Sequence, residues 1–377
     1  MNYNRAIVAS AGSGKTTQII EEVIAKESSI LIVTYTTQNT LLLKRGIEKR
    51  VGYIPSNITI MTWHSFLLKH CIRPFRSSLS ENEIKNIDFK TMITNYKIPE
   101  KNTKMFYFSS KSTLYAKRAT KFAISCNNAS DGSVIKRLEK IFKEIYIDEV
   151  QDMAGEDVDL LRLLLESKIQ VTMVGDPRQA IYFTTISSKN KRVKGSNFVE
   201  KLKEWENANL LKIEYKNYSH RCCQDICDLS DALFPEIEPK TNSKNHTPTN
   251  HTGLYVLRDS DFEDYIREVR PIVLRWSKSA KLPECSLNYP KINIGISKGS
   301  TFEHVVILCT EAFKKFIQDG IIPNQDKARC ELYVAITRAK FSVAFVADIK
   351  TPFFSNIKYY NTKGNEYDKM GISEISD

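Results

Sequence analysis

Arg5-Ala-Ile-Val-Ala-Ser-Ala-Gly-Ser-Gly-Lys-Thr-Thr17 runs from a short apolar segment through a loop of small residues into a Lys-Thr pair. Such a loop presents consecutive backbone N–H groups at the start of a helix, where partial positive charge gathers and a phosphate can be cradled. Gly12 and Gly14 let the backbone approach an anion closely, and Lys15 and Thr16 fall on the first turn of the predicted helix. The lysine ammonium suits outer phosphates, and the threonine hydroxyl suits a magnesium ion. Ala9, Ser10, Ala11, Gly12, Ser13, Gly14, Lys15, Thr16 and Thr17 are therefore read as the nucleotide-binding segment. Ala9 stands where the general pattern G-x-x-x-x-G-K-[ST] has its first glycine.

A second stretch supplies what a phosphate cradle lacks. In Ile145-Tyr-Ile-Asp-Glu-Val-Gln-Asp152 an apolar strand runs directly into two adjacent carboxylates. Asp148 can hold magnesium through water, and Glu149 can act as general base on an attacking water. Further on, the strand Ile169 to Val174 leads into Gly175-Asp-Pro-Arg-Gln-Ala-Ile-Tyr182. Gln179 is expected to contact a terminal phosphate there, while Tyr182 and Phe183 offer faces to bases.

Around these stretches strand and helix signals alternate, which predicts a doubly wound α/β sheet of parallel strands. Ile30 to Val33 and Ile58 to Thr62 read as strands, with a helix from about Thr40 to Arg50 and another opening at Trp63 to Phe66. From about Arg76 to Leu138 the alternation is lost, and the segment reads as an insertion. Lys101, Lys104, Lys111, Lys117, Arg118 and Lys121 interleave there with Phe106, Tyr107, Phe108 and Tyr115, a composition suited to phosphate contact and base stacking. Lys189, Lys191, Arg192 and Lys194 form a basic loop. A second alternating unit begins near Leu210 with a strand from Leu211 to Tyr215, then Asn217-Tyr-Ser-His-Arg221 and a helix from Cys222 to Leu233. A long amphipathic helix is expected from about Phe262 to Lys278. The expected division is a first lobe over 1–208 with a basic insertion at about 76–138, and a second lobe over 209–377 with a short insertion at about 235–290. The tail after Lys350 reads as loosely ordered.

The bulk properties bound the partners. A chain of 377 residues exceeds the usual size of one hydrophobic core. No apolar run approaches the roughly 20 residues that span a bilayer, so no membrane association is expected. The opening residues lead straight into the phosphate loop, which leaves no room for a signal peptide, and a cytoplasmic location is expected. A formal net charge of +11 points to a polyanionic partner. The eight cysteines include no C-x-x-C pair, so no disulfide framework is expected; the spacing of Cys222, Cys223 and Cys227 beside His220 suits helix packing better than metal binding.

Taken in order, these stretches resemble the UvrD/Rep-like branch of the superfamily 1 helicases over nearly the whole chain. The opening Ala-x-Ala-Gly-Ser-Gly-Lys-Thr is similar to that family's phosphate loop, so Ala9 matches the family form. Thr34 to Asn39 and Thr62 to Phe66 resemble its motifs Ia and Ib, and Asp148 to Asp152 its motif II. Gly175 to Tyr182 resembles motif III, Tyr215 to Arg221 motif IV, Ser297 to Glu303 motif V and Tyr333 to Ala339 motif VI. The resemblance implies two RecA-like parallel-sheet lobes with ATP and Mg2+ between them and single-stranded DNA across their top. By position it assigns Lys15 and Thr16 to phosphate and magnesium, Asp148 to magnesium and Glu149 to the attacking water. Gln179 would sense the γ-phosphate, Arg221 and Arg338 would act as arginine fingers, and Glu303 would lie near the nucleotide sugar. Thr34, His64, Tyr182 and Ser297 would contact DNA. No residue is assigned to the family's adenine-reading glutamine motif.

The expected activity is an ATP-dependent DNA helicase or translocase of the UvrD type, moving 3′ to 5′ on single-stranded or tailed DNA. The alternative is a nucleotide- and DNA-gated regulatory subunit that unwinds little and controls a nuclease in antiviral defence or DNA repair. Short UvrD-like proteins paired with OLD-type nucleases, as in Gabija systems, are similar in outline. A third reading is a basic RNA-binding NTPase.

Overall fold

The computed structural model describes residues 3–81, 83–91, 103–181, 189–190, 193, 195–247 and 249–360. The chain divides into two units, Met1–Lys216 and Asn217–Asp377. Each is built on a parallel sheet, as the α/β reading expected.

In the first unit the strands are β1 (Arg5–Ala9), β2 (Ile30–Thr34), β3 (Ile58–Thr62), three short strands β4 (Asn86–Asp88), β5 (Phe108–Ser110) and β6 (Thr113–Tyr115), then β7 (Glu144–Asp148), β8 (Gln170–Gly175) and β9 (Lys212–Lys216). Among the described residues six of them form one sheet in the order β3-β2-β7-β8-β1-β9, every neighbouring pair parallel. Inner strands of such a sheet are covered on both faces, which is why β2 and β7 are buried at all five positions. Alternate residues then serve opposite cores. Ala6, Val8, Leu31, Val33, Ile145 and Ile147 pack on one face with Phe122, Leu161 and Leu164. Ile7, Ala9, Ile30, Ile32 and Tyr146 pack on the other with Ile19, Ile20 and Val23 of the helix Lys15–Ile24 and Leu43 and Ile47 of the helix Thr37–Val51.

Because every strand points the same way, the loops after Ala9, Thr34, Thr62, Asp148 and Gly175 all leave from one edge of the sheet. From β1 the chain turns back towards β2, and after β8 it passes across β1 to β9, so the connections diverge beside β1. At such a switch point two loops part and leave a crevice for a ligand.

Three sequence expectations are corrected here. The strand expected to open the second lobe is β9, and it belongs to the first sheet: Arg5 to Ala9 pair in register with Lys212 to Lys216, so the division falls at 216/217 instead of 208/209. The basic insertion is smaller than 76–138. Its short strands form a separate sheet, β4-β6-β5, but the helices Ala119–Ala129 and Ser133–Ile141 bury Phe122, Ala123, Cys126, Val134 and Leu138 in the main core. Their lysines and arginines lie between these positions and mask the apolar stripe in the sequence. The helix expected from Thr40 starts at Thr37, since the Thr36 hydroxyl accepts from the Asn39 amide at 3.1 Å and caps it earlier.

The second unit begins with β10 (Tyr218–Ser219), which pairs with β11 (Asn242–Ser243), and continues with β12 (Gly253–Leu257), β13 (Ile272–Arg275), β14 (Lys291–Asn293), β15 (Phe302–Leu308), β16 (Ala339–Val346) and β17 (Ile357–Tyr359). Its described sheet has the order β14-β13-β15-β16-β12-β17, again all parallel. The stretch expected as an insertion at 235–290 therefore contributes two sheet strands, β12 and β13, and is not an insertion. The expected helix Phe262 to Lys278 ends at Val269, because Arg270 adopts a left-handed backbone (φ 52°) and Pro271 has no N–H to continue the ladder. Past Lys350 the chain is not wholly loose either, since β17 pairs with β12 from Leu254↔Ile357 to Val256↔Tyr359. No helix among the described residues is long and apolar enough to cross a membrane.

Candidate functional site

The phosphate loop joins β1 to the helix Lys15–Ile24. Gly12 (φ 76°) and Gly14 (φ 81°) both take left-handed backbone, which residues with a Cβ adopt only under strain. The Ser10 amide donates to the Lys216 carbonyl at 2.9 Å, and the Ser13 amide donates back to Ser10 at 3.2 Å, so the loop is pinned at its entrance and folded over itself. Ser13 Oγ is buried without a hydrogen-bond partner, an unmet demand that a phosphate oxygen can satisfy. Lys15 and Thr16 are half-buried and Thr17 is exposed.

At the end of β7, Asp148 is buried and accepts the Glu149 amide at 3.0 Å. Glu149 is one of the few non-glycine residues with positive φ (56°), a conformation that costs about 1–3 kcal/mol and persists only where the surroundings impose it. Here the neighbouring side chain holds it: Gln151 Nε2 donates to Glu149 Oε2. The same Gln151 accepts the Asp176 amide on Oε1 at 3.1 Å. Space for that amide exists because position 175 is glycine, where a Cβ would come within 2.3 Å of Gln151 Oε1.

Asp176 is the hub of the arrangement. It is fully buried, and its carboxylate accepts Arg178 Nε at 2.9 Å and Gln179 Nε2 at 2.9 Å, while Arg178 Nη2 reaches Ser10 Oγ at 2.9 Å. Burial alone pushes this carboxyl up, but the charges of Arg178 and Lys15 and the bonds from Gln179 and Arg178 outweigh it and hold the group below the usual carboxylate range. Hydrogen bonds thus run without a break from the phosphate loop (Ser10) through Arg178, Asp176 and Gln151 to the carboxylate Glu149. Sequence reading singled out Lys15, Asp148, Glu149 and Gln179 but missed Gln151, Asp176 and Arg178. The signal was present, as an acid and a base two residues apart directly after a largely buried strand.

Of the residues assigned to nucleic acid in this unit, Thr34 is buried with a hydroxyl that has no partner. His64 is 9% exposed, and burial holds its imidazole far below the ordinary value, at about 4, so the ring is neutral near pH 7. Tyr182, like Phe183, Lys101, Lys191, Arg192 and Lys194, lies outside the described residues.

In the second unit Arg221 and Arg338 converge on one residue, Thr337, just past the helix Asp326–Ile336. Arg221 Nη1 donates to the Thr337 carbonyl at 3.0 Å. Arg338 is 1% exposed; its Nε donates to the Val334 carbonyl at 3.0 Å, its Nη1 to the Ser300 carbonyl at 3.2 Å and its Nη2 to Thr337 Oγ1 at 3.5 Å. A helix C-terminus leaves carbonyls unpaired and carries partial negative charge, so two guanidinium groups are well placed there. Glu303 is exposed near the start of β15. Ser297 is buried with its hydroxyl donated to the Ile294 carbonyl at 2.7 Å, so it shapes that turn and presents no side-chain group to solvent.

Residues 2–185 match the family described as an AAA domain, and residues 102–347, more than half the chain, match the viral superfamily 1 RNA helicase core domain. A protein of Bacillus cereus (strain VD045) named Gabija protein GajB is 28% identical over 254 residues, covering 64% of this chain and 49% of its own. A probable DNA helicase II homolog of Mycoplasma capricolum is 21% identical over 384 residues, covering 85% of this chain and 49% of its own. The chain thus spans about half the length of these curated relatives. Among solved structures, a complex of arterivirus nonstructural protein 10 (helicase) with DNA aligns with a TM-score of 0.45 at 17% identity, over 92% of this chain and 62% of that one. With the helicase-core match running through the Asp-Glu strand end and the Thr337-Arg338 helix end, the chain belongs to the superfamily 1 helicases.

Proposed function

We propose that the chain is an ATP-hydrolysing motor of the UvrD type that moves 3′ to 5′ on single-stranded DNA. What carries the reading is the unbroken hydrogen-bonded path from Ser10 to Glu149, because it ties a phosphate-binding loop to a general base through buried groups. The donor set fits a nucleotide with its magnesium: backbone amides and Lys15 for phosphates, the unpartnered Ser13 hydroxyl for a phosphate oxygen, and the Thr16 hydroxyl with Asp148 for the metal. When bound, magnesium would neutralise charge on the phosphate oxygens. Glu149 accepts the proton of the attacking water, held in position by Gln151. Gln179 reports the terminal phosphate to Asp176. Arg221 and Arg338 supply positive charge to the transferring phosphoryl group, and Glu303 lies near the sugar.

The relative named Gabija protein GajB favours a second reading of the motor's setting, as the nucleotide- and DNA-gated subunit of a nuclease complex in phage defence. One set of assays separates the readings. Hydrolysis is measured with single-stranded DNA, with RNA and alone, and strand displacement is measured on 3′-tailed and 5′-tailed duplexes. Strong stimulation by DNA with displacement from the 3′-tailed substrate is expected. Stimulation without displacement favours the regulatory subunit, and preferential stimulation by RNA overturns the DNA assignment.

A further inference from the structure

We propose that Phe89 is a residue of the first unit on which a nucleic-acid base stacks, with His64 as its prop; the proposal rests on the single-stranded DNA reading above. Among the described aromatic residues that the sequence offered for stacking, three are engaged within the fold. Tyr107 and Phe108 are buried in the main core. Phe106 is covered by the Arg118 guanidinium at 3.8 Å from its ring centre and by Lys121 at 5.1 Å. Phe89, by contrast, is 63% exposed.

A single exposed phenylalanine is common on protein surfaces. This one differs because it is held. It directly follows β4, and the Asp88 carboxylate accepts the amides of Lys90 and Thr91, each at 2.9 Å, so that a side-chain-capped turn fixes the backbone around the ring. Hydrogen bonds from Thr91 and Lys90 hold the Asp88 carboxyl down at about 2, so the cap persists at physiological pH. The Phe89 ring lies 4.8 Å from that of His64 with an interplanar angle of 71°, and His64 in turn lies 6.1 Å from Tyr35. In an edge-to-face pair one ring spends at most one face, so at least one face of Phe89 stays open.

His64 is suited to the role of prop. It follows β3 at the same sheet edge as the phosphate loop, and Trp63 beside it is anchored by donation to Asp157 at 2.9 Å. At 9% exposure it has little surface left for a base, so its contribution to binding passes through Phe89. Charge complements the ring: Lys90 is the exposed next residue, and Lys117 lines the recess beside His64, where the acidic groups are Glu156 and Asp157, the latter taken up by Trp63 and Thr120. An open aromatic face beside lysines suits an unpaired nucleotide, whose base can stack while its phosphate meets the cations. A duplex offers no such base face along its length.

The test uses the full chain and a 5′-labelled oligothymidylate. Phe89→Ala is expected to weaken binding by about 5- to 150-fold, the range for losing one base stack, while Phe89→Tyr restores it and the thermal midpoint stays near that of the wild type. In Phe89→Trp, the tryptophan emission should be quenched as the oligonucleotide binds, and His64→Ala should reduce that quenching. Wild-type binding with an indifferent Phe89→Ala overturns the stacking role and leaves the motor reading intact. No wild-type binding to the oligonucleotide overturns both. Equal loss on blunt duplex, or a loss confined to oligouridylate, shows that the residue does not serve single-stranded DNA.

Discussion

Replacing Arg178 by alanine removes the guanidinium that joins Asp176 to Ser10 and leaves a buried carboxylate with less compensation. Breaking a buried ion pair by removing one partner costs about 3–5 kcal/mol. Lys15 also acts on the Asp176 charge, which places the expected loss towards the lower end of that range. For a unit the size of Met1–Lys216, where about 1 kcal/mol corresponds to roughly 2–4 °C, a loss of about 3 kcal/mol should lower the midpoint by about 6–12 °C. Calorimetry of the variant against the wild type reads this directly. Lysine at 178 should rescue poorly, since Nε and Nη2 meet two different partners and an ammonium has no such fork. The functional arm is a double-mutant cycle on kcat/KM with Ser10→Ala. If Arg178 acts through the phosphate loop, the two effects overlap by about 0.5–3 kcal/mol instead of adding. A midpoint within 2 °C of wild type, or strict additivity with Ser10→Ala, would refute the proposed path.

Three further outcomes are expected. Lys15→Ala and Glu149→Gln should each lower turnover by about 100-fold or more with unchanged unfolding curves, and near-wild-type turnover in either would remove the site assignment. Gly175→Ala should push Gln151 aside, because the new Cβ would sit 2.3 Å from its Oε1; a stability loss of about 1–3 kcal/mol and slower turnover are expected, and a silent variant in urea melts and steady-state assays would contradict the contact. Burial holds His64, His70 and His251 each at about 4 against an ordinary 6.5, so the fold favours the neutral rings. Their contribution is complete above the unfolded value and is lost as pH falls from about 6.5 towards about 4, at no more than about 1.4 kcal/mol per pH unit for each ring. Urea unfolding at pH 7.5 and pH 5 should show that loss, and equal stability at the two would argue against buried neutral histidines.

Much of this protein could be read from the order of its residues. The phosphate loop, the strand ending in Asp148 and the strand ending at Gly175 announce themselves because their chemistry is local: small residues, a lysine and carboxylates placed directly after apolar runs. The helix Phe262–Val269 was overextended because its amphipathic pattern continues past Pro271, and the spacing of apolar residues outweighed a local stop signal. Other features were invisible for a different reason. That Lys212–Lys216 belongs beside β1, and that residues 253–275 supply strands to the second sheet, depends on which strands pair, and pairing is a long-range choice no local pattern encodes. The same holds for function. The sequence by itself determined that there is a nucleotide site and which residues sit at its strand ends. Only the tertiary structure decided that Arg178 spans from Asp176 to Ser10, that Gln151 links Asp176 to Glu149, and that Phe89 is left open while Tyr107 and Phe108 are buried, since burial and hydrogen bonding are settled by neighbours far away in the chain.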